Sequence, residues 1–358
     1  MIAIIVLICS LMGFGMSISK IFRLQFVNDE RPFIWFWIGF SIVILCLQII
    51  QFFVPLTIYT SLFLFGVGIL LFLYYSFPKI LNLQISKVQY IYFGILSLIV
   101  VYICYLALFP PILWDGNLYH FATIRWQNEY AIVPGLGNLH GRFAFNQSYF
   151  LFVSALNFFP VFKYGHYLAN SLLLTVLIAD CLLQIRNVIK ARKESVINIQ
   201  KLLPVLFIIP IFYMMQRFNL SSASPDIALT ILQIVLFQYF VRELFNNQNT
   251  IQSDSRTFFL ILFSVLLITI KLSSWAFSGS VIMILLVRKV FSFIRQKKSL
   301  GKLLGKLLIL PGVLLLIWCI RGIILSGCVA YPISVGCFDV SWAIPTEDII
   351  LMRNLILA

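Results

Sequence analysis

The chain has 358 residues, of which 61% are hydrophobic and 11% charged, with a mean hydropathy of +1.01. That balance excludes a soluble domain of this length. The formal charge of +14 would suit a nucleic-acid binder, but the placement of the basic residues excludes that reading too.

Apolar runs long enough to cross ~30 Å of hydrocarbon recur along the whole chain. They are continuous rather than alternating, which points to helices and not to a barrel. In chain order the expected spans are 2–18, 33–53, 56–77, 88–109, 166–185, 202–218, 226–241, 258–272, 274–291 and 303–325. The expected fold is therefore all-α, a polytopic bundle of about ten spans. The first run has no basic residue ahead of it and no small-residue cleavage site, so it reads as a spanning helix rather than a cleaved signal peptide. The links 19–32, 78–87, 186–201, 242–257 and 288–302, with Lys306, hold 19 of the 26 Lys and Arg. The remaining seven are Arg125, Arg142, Lys163, Arg217, Lys271, Arg321 and Arg353. This asymmetry assigns the first set to the cytoplasm. The net charge is then mostly topology, and the inner links face anionic lipid.

Four units follow: a membrane segment over 1–109, an extracytoplasmic loop over 110–165, a second membrane segment over 166–325 and an outer segment over 326–358. The stretch 143–162 reads as a juxtamembrane or re-entrant helix lying at the outer surface. A full span there would put the basic cluster after Ile185 outside. Asn146, Gln147, Ser148 and Asn157 also suit an interface. The chain ends in a short apolar run, 349–358, the pattern of a truncated member of a longer family.

Chemistry-bearing residues concentrate in 110–146. Helical spacing puts Asp115, Tyr119, Ala122 and Trp126 on one face; Asp115 past two prolines also suits a helix cap. His120 and His140 are candidate metal ligands with Asp115, but their spacing matches no metal motif. Neutral hydrogen-bonding histidines and no metal cofactor are the expectation. Trp114, Tyr119, Trp126 and Tyr130 suit either a sugar-stacking platform or an interfacial aromatic belt.

Four ionisable residues fall within or beside the later spans, where charge is costly. Asp226, in SASPD, is a site carboxylate or a helix cap with Ser224. Lys271, in TIKLSS, is a site cation or a snorkelling side chain. Arg321 lies about one turn inside the outer face and needs an anion, either a bound phosphate or Asp226. Asp180 suits an interhelical polar contact. Cations at this face suit a phosphate or pyrophosphate, and a carboxylate beside them suits a base. Five cysteines sit in helices, whereas Cys328 and Cys337 are spaced to form a disulfide in an oxidising compartment.

Several of these features together resemble the GT-C class of membrane glycosyltransferases. Asp115 in LWDGNLYH occupies the position of that class's first-loop Asp, and 143–162 followed by 167–185 copies its order of juxtamembrane and membrane helices. FKYGHYLANSLLLTVL resembles the class's entry to that helix, and TIKLSS its tight turn between two later helices. WDGNLYH, VPGLGNLHGRFAFN, SASPD and IRGIILSG look like GT-C-like proteins of bacterial surface-polysaccharide clusters. The chain departs from the class in three extra helices ahead of the usual first, and in Gly116 where a second acid often follows. The resemblance implies inverting transfer of a sugar from a polyprenyl-phosphate carrier to a glycan or lipid acceptor, in a bacterial inner or plasma membrane. Asp115 would be the base. Arg321 and Lys271, near Asp226, would hold the carrier phosphate, and Tyr119, His120, His140, Arg142 and Asn146 would line the sugar or acceptor. The rival readings are a lipid-linked-sugar flippase or transporter, a polysaccharide polymerase and a structural membrane subunit. A transporter calls for mid-bilayer polar groups and broken helices.

Overall fold

The computed structural model describes residues 1–80, 87–112, 114–162, 164–191, 199–216, 220–245, 250–296 and 300–357. Lys163, Arg192, Lys193, Arg217, Lys297 and Lys298 of the charge asymmetry lie outside the described residues.

The regular elements among the described residues are helical. The α-helices are α1 Ile2–Ile21, α2 Arg31–Phe53, α3 Ile58–Ile80, α4 Lys87–Leu106, α5 Phe121–Glu129, α6 Tyr149–Ala155, α7 Leu168–Ala191, α8 Ile199–Leu206, α9 Ile208–Met214, α10 Pro225–Phe245, α11 Thr250–Ile270, α12 Trp275–Gln296, α13 Leu300–Ser326 and α14 Thr346–Leu357. Eight of them, α1, α2, α3, α7 and α10 to α13, are long and apolar enough to cross a membrane. The chain is an integral membrane protein. The span expected at 88–109 is α4, of 20 residues, and that expected at 202–218 holds a shorter apolar stretch, Leu203–Met214. The second is broken into α8 and α9. Pro210 lacks the N–H that would bond to Leu206, and its ring crowds that carbonyl; the break falls there.

One apolar core runs from Ile4 to Leu314 and is deepest around Trp37, Phe40, Tyr149, Phe152, Phe259 and Phe263. Close backbone approach ties α1 to α2. A Cβ on Gly15 would stand 1.7 Å from the Trp35 carbonyl oxygen, and one on Gly39 would stand 1.7 Å from that of Leu11. Small residues do this work in bilayers, where helix association cannot draw on apolar burial from water.

The stretch 143–162 departs from its expected place. Its only α-helix, α6, has seven residues, all buried. It lies inside the protein against α2, α5 and α10 rather than at the surface. The polar residues expected at the interface are bonded internally. The Ser148 N–H donates to the Thr269 carbonyl at 2.9 Å, and Asn157 Nδ2 to Asn128 Oδ1 at 3.0 Å. Irregular backbone at membrane depth is stable only when protein surrounds it.

α2 sets the two ends of the bundle, about 30 Å apart from Arg31 to Gln51. At the Arg31 end, Glu30 accepts from Arg256 at 2.8 Å and Arg242 at 3.5 Å. Arg256 also stands 4.0 Å from Glu243, to which Ser253 donates. Lys289 donates to Asp254 at 2.7 Å. Basic residues that the charge asymmetry reads as topology thus also lock α10 and α11 to the 22–30 link and α12 to α11. One turn above, Gln184 of α7 donates to both Asp180 at 2.6 Å and Gln238 of α10 at 3.5 Å, so the interhelical contact expected of Asp180 runs through Gln184.

α1 ends at this same side. The Leu24 N–H donates to the Ser19 carbonyl and the Arg23 N–H to that of Lys20, with Arg23 at φ 51°. This closure normally takes glycine at the left-handed position. An L-residue there costs about 1–2 kcal/mol.

Candidate functional site

The opposite end is built by the 110–165 loop, which is stitched into the bundle. Asn128 Nδ2 donates to the Leu56 carbonyl at 2.7 Å and the Ser154 carbonyl at 3.0 Å. The Ile132 N–H donates to the Gln51 carbonyl at 2.8 Å. Tyr149 Oη donates to Asn170 at 2.6 Å, and Asn170 Nδ2 to the Ser222 carbonyl at 2.7 Å.

Two prolines close α4, and the chain re-enters helix at Trp114. Residues Gly116–His120 then make a π-helical turn before α5, with the Phe121 N–H donating to the Gly116 carbonyl. One extra residue in that turn breaks the face expected from α-helical spacing. Asp115 borders one cavity and Trp126 another.

The first cavity is an open cleft of about 480 Å³ lined by Trp114, Asp115, His120, Ser224, Asp226 and Thr230, with Tyr213 and Met214 from the end of α9. Asp115 accepts from Arg142 at 2.7 Å, and the guanidinium lies over the Tyr119 ring, 5.1 Å from its centroid. Asp226 is ion-paired with Lys271. Four separated chain segments thus bring two carboxylate–cation pairs to one place. The loop supplies one pair; the start of α10 and the tight turn after α11 supply the other.

His120 lines the same cleft. It is 1% exposed, and among the described residues neither imidazole nitrogen has a hydrogen-bond partner. Its ring packs against Tyr119 at 4.4 Å and Phe150 at 5.1 Å. Burial pushes its pKa down to about 4, with Asp115 and Asp226 pulling it up and Lys271 and Arg142 adding to the fall. It is therefore neutral at physiological pH, with one donor and one acceptor nitrogen. Burial also raises the Tyr119 phenol above its ordinary range, reinforced by the same two carboxylates.

Not every expected residue lines this cleft: of the two pairs only the carboxylates do, with Arg142 and Lys271 bonded to them from beyond the lining. His140 is exposed, its Nδ1 accepting from the Arg142 N–H at 3.2 Å, and it does not line the cavity. Among the described residues no group of three His, Cys, Asp or Glu is arranged to hold a metal. The four aromatics form no single platform. Trp114 is an exposed rim residue and Tyr119 is buried, while Trp126 pairs with Tyr130 at 5.1 Å.

Arg321 and Asn146 line the second cavity, an enclosed one of about 20 Å³, roughly the room of one water. Arg321 is 3% exposed and donates to Gln51 Oε1 at 2.5 Å and Asn146 Oδ1 at 3.4 Å. Asn146 is fixed in turn by reciprocal bonds with Trp318. Asp226, the carboxylate expected as the alternative partner, is paired with Lys271 instead. Arg321 is thus solvated by neutral amides, and the structure does not bring it to Lys271. Gln51, Gln127 and Thr230 are cavity residues that the sequence reading missed, and Ser224, read as a cap, is another. Gln51 and Thr230 lie in runs read as membrane span, Gln127 lies in the loop, and nothing in their spacing marks them.

At the same end, Cys328 and Cys337 form a disulfide. Tyr331, Ile344 and Ile349 then pack on Ala144 in a small second core.

The chain belongs to the family described as a domain of unknown function, DUF8201, which matches residues 1–357. No curated protein and no solved structure matches the chain.

Proposed function

We propose that the protein is a membrane glycosyltransferase. In this reading it transfers a sugar from a polyprenyl-phosphate carrier to a glycan or lipid acceptor at the extracytoplasmic face. The observation that carries the reading is the unpaired, buried imidazole of His120, which lines an open cleft with Asp115 and Asp226, each carboxylate ion-paired to a cation beyond the lining. A sugar hydroxyl both donates and accepts, and so matches a neutral imidazole. The orientation is supported by the Lys/Arg asymmetry and by the disulfide on the cleft side, a bond that oxidising compartments sustain.

Asp115 takes the proton of the acceptor hydroxyl as that oxygen attacks the anomeric carbon. The bond from that carbon to the phosphate oxygen breaks, and polyprenyl phosphate departs with the electron pair. Lys271 and Arg142 receive its charge. Arg321 stands apart, in a cavity too small for a phosphate, and here its role is to fix Gln51 and Asn146 beneath the loop.

The test uses the full chain in membrane vesicles supplied with a panel of polyprenyl-phosphate monosaccharides. Asp115→Asn should lower transfer by about 10²–10⁴-fold while changing unfolding free energy by no more than about 1 kcal/mol. Wild-type levels of transfer would remove Asp115 from catalysis. A second reading, transport of lipid-linked sugars, draws support from the broken α8–α9 helix and from Asp180 and Gln184 inside the bundle. Movement of a labelled lipid-linked sugar across the bilayer that survives Asp115→Asn, without any transfer by the wild type, would favour it.

A further inference from the structure

A third cavity, of about 720 Å³, lies at the end of the bundle opposite the cleft, between the end of α1, the start of α2 and the end of α3. Lys20, Arg23 and Arg31 line it, together with Trp35, Tyr74 and Tyr75. Among the described residues no carboxylate does. The two acids of the adjoining link are already engaged, Glu30 by Arg256 and Arg242, and Asp29 by Asn187 at 3.1 Å. None of the three cations is therefore neutralised by these acids: Lys20 lies 5.7 Å from the Tyr75 ring centroid, and Arg31 lies 5.8 Å from that of Trp35 and donates to the Phe26 carbonyl at 3.2 Å.

Two further observations point to a ligand. Ser19 lines the cavity, is 6% exposed, and its hydroxyl has no partner among the described residues. Arg23, on the rim, holds the left-handed position where glycine closes a helix without strain. Residues held in sparsely populated backbone regions cluster at functional sites.

We propose that this cavity binds the phosphate-bearing headgroup of an anionic membrane lipid. Lys20, Arg23 and Arg31 supply the charge, and the Ser19 hydroxyl donates to a phosphate oxygen. The membrane is the source favoured over free phosphate. The cavity opens beside the α3 face that carries Leu70, Leu73 and Tyr74, all exposed and apolar enough to run along acyl chains. Basic clusters at the cytoplasmic surface attract such lipids. The site is independent of the cleft and of the reaction assigned to it.

The experiment follows thermal unfolding of the delipidated full chain in neutral detergent. Phosphatidylglycerol, phosphatidylcholine with the same acyl chains, and inorganic phosphate are each added. Phosphatidylglycerol should raise Tm well beyond phosphatidylcholine, and Lys20→Gln with Arg23→Gln should reduce its effect to that of phosphatidylcholine. Equal effects of the two lipids on the wild type, or an undiminished effect on the double variant, would overturn the proposal. An equal effect of inorganic phosphate would overturn the lipid assignment and leave a phosphate site. Arg23→Gly provides a second variant if the double fails to fold. It should raise Tm without lipid, by relieving the backbone, and shrink the phosphatidylglycerol increment. An unchanged increment would show that the arginine is not kept for a ligand.

Discussion

The two ends of the bundle use the same residue types for different purposes. At the cleft, Asp115 and Arg142 have side chains 47% and 34% exposed, and Asp226 and Lys271 are similarly wet. Pairs of that kind contribute up to about 1 kcal/mol each. At the far end, Arg256 is 4% and Glu30 18% exposed, and two helices share the one carboxylate. Breaking such a pair leaves an uncompensated buried charge and costs about 3–5 kcal/mol. The charge around Glu30 that holds helices together is dry and shared, whereas the charge bordering the cleft is wet and paired one to one.

That contrast can be broken by substitution. The largest effect is expected on activity at the cleft: Asp115→Asn, with its loss of about 10²–10⁴-fold in transfer and a change in unfolding free energy of no more than about 1 kcal/mol. Glu30→Gln should do the reverse. It should lower unfolding free energy by about 3–5 kcal/mol while transfer per folded molecule holds; equal losses of both would dissolve the distinction. His120 supplies a pH test. The folded state keeps it neutral to about pH 4, whereas the unfolded chain protonates it near 6.5. Its contribution is full above pH 6.5 and lost as pH falls toward 4. His120→Phe should flatten that part of the stability profile, measured by thermal unfolding at stepped pH. The smallest effect is the coupling between Asp226 and Lys271. A double-mutant cycle on unfolding should return less than about 1 kcal/mol. Asp226→Asn should not rescue Arg321→Gln, because Asp226 is not that arginine's partner.

The spans, the loop and the gathering of Asp115, His120, Asp226 and Lys271 were legible because bilayer burial makes charge rare, so each ionisable residue stands out. What stayed hidden follows from the same rule. An amide such as Gln51 is cheap enough in a span to pass as background, yet with Asn146 it solvates Arg321. The inner lock was hidden because Lys/Arg asymmetry accounts for basic residues without needing their partners. The burial of α6 was hidden because residues 143–162 carry polar groups at a density that suits a surface. Only their pairing with Thr269, Asn128 and Trp318 distinguishes an interior.

The π-helical turn at Gly116–His120 makes this site sensitive to chain length as well as to composition. Removing Asn117, an exposed residue that lines neither cavity, would restore ordinary α-helical winding and swing Asp115 by about 100° relative to α5. Every functional side chain would survive, yet the carboxylate would turn away from Arg142. Along this stretch, single-residue deletions should be tolerated far less well than substitutions at the same exposed positions.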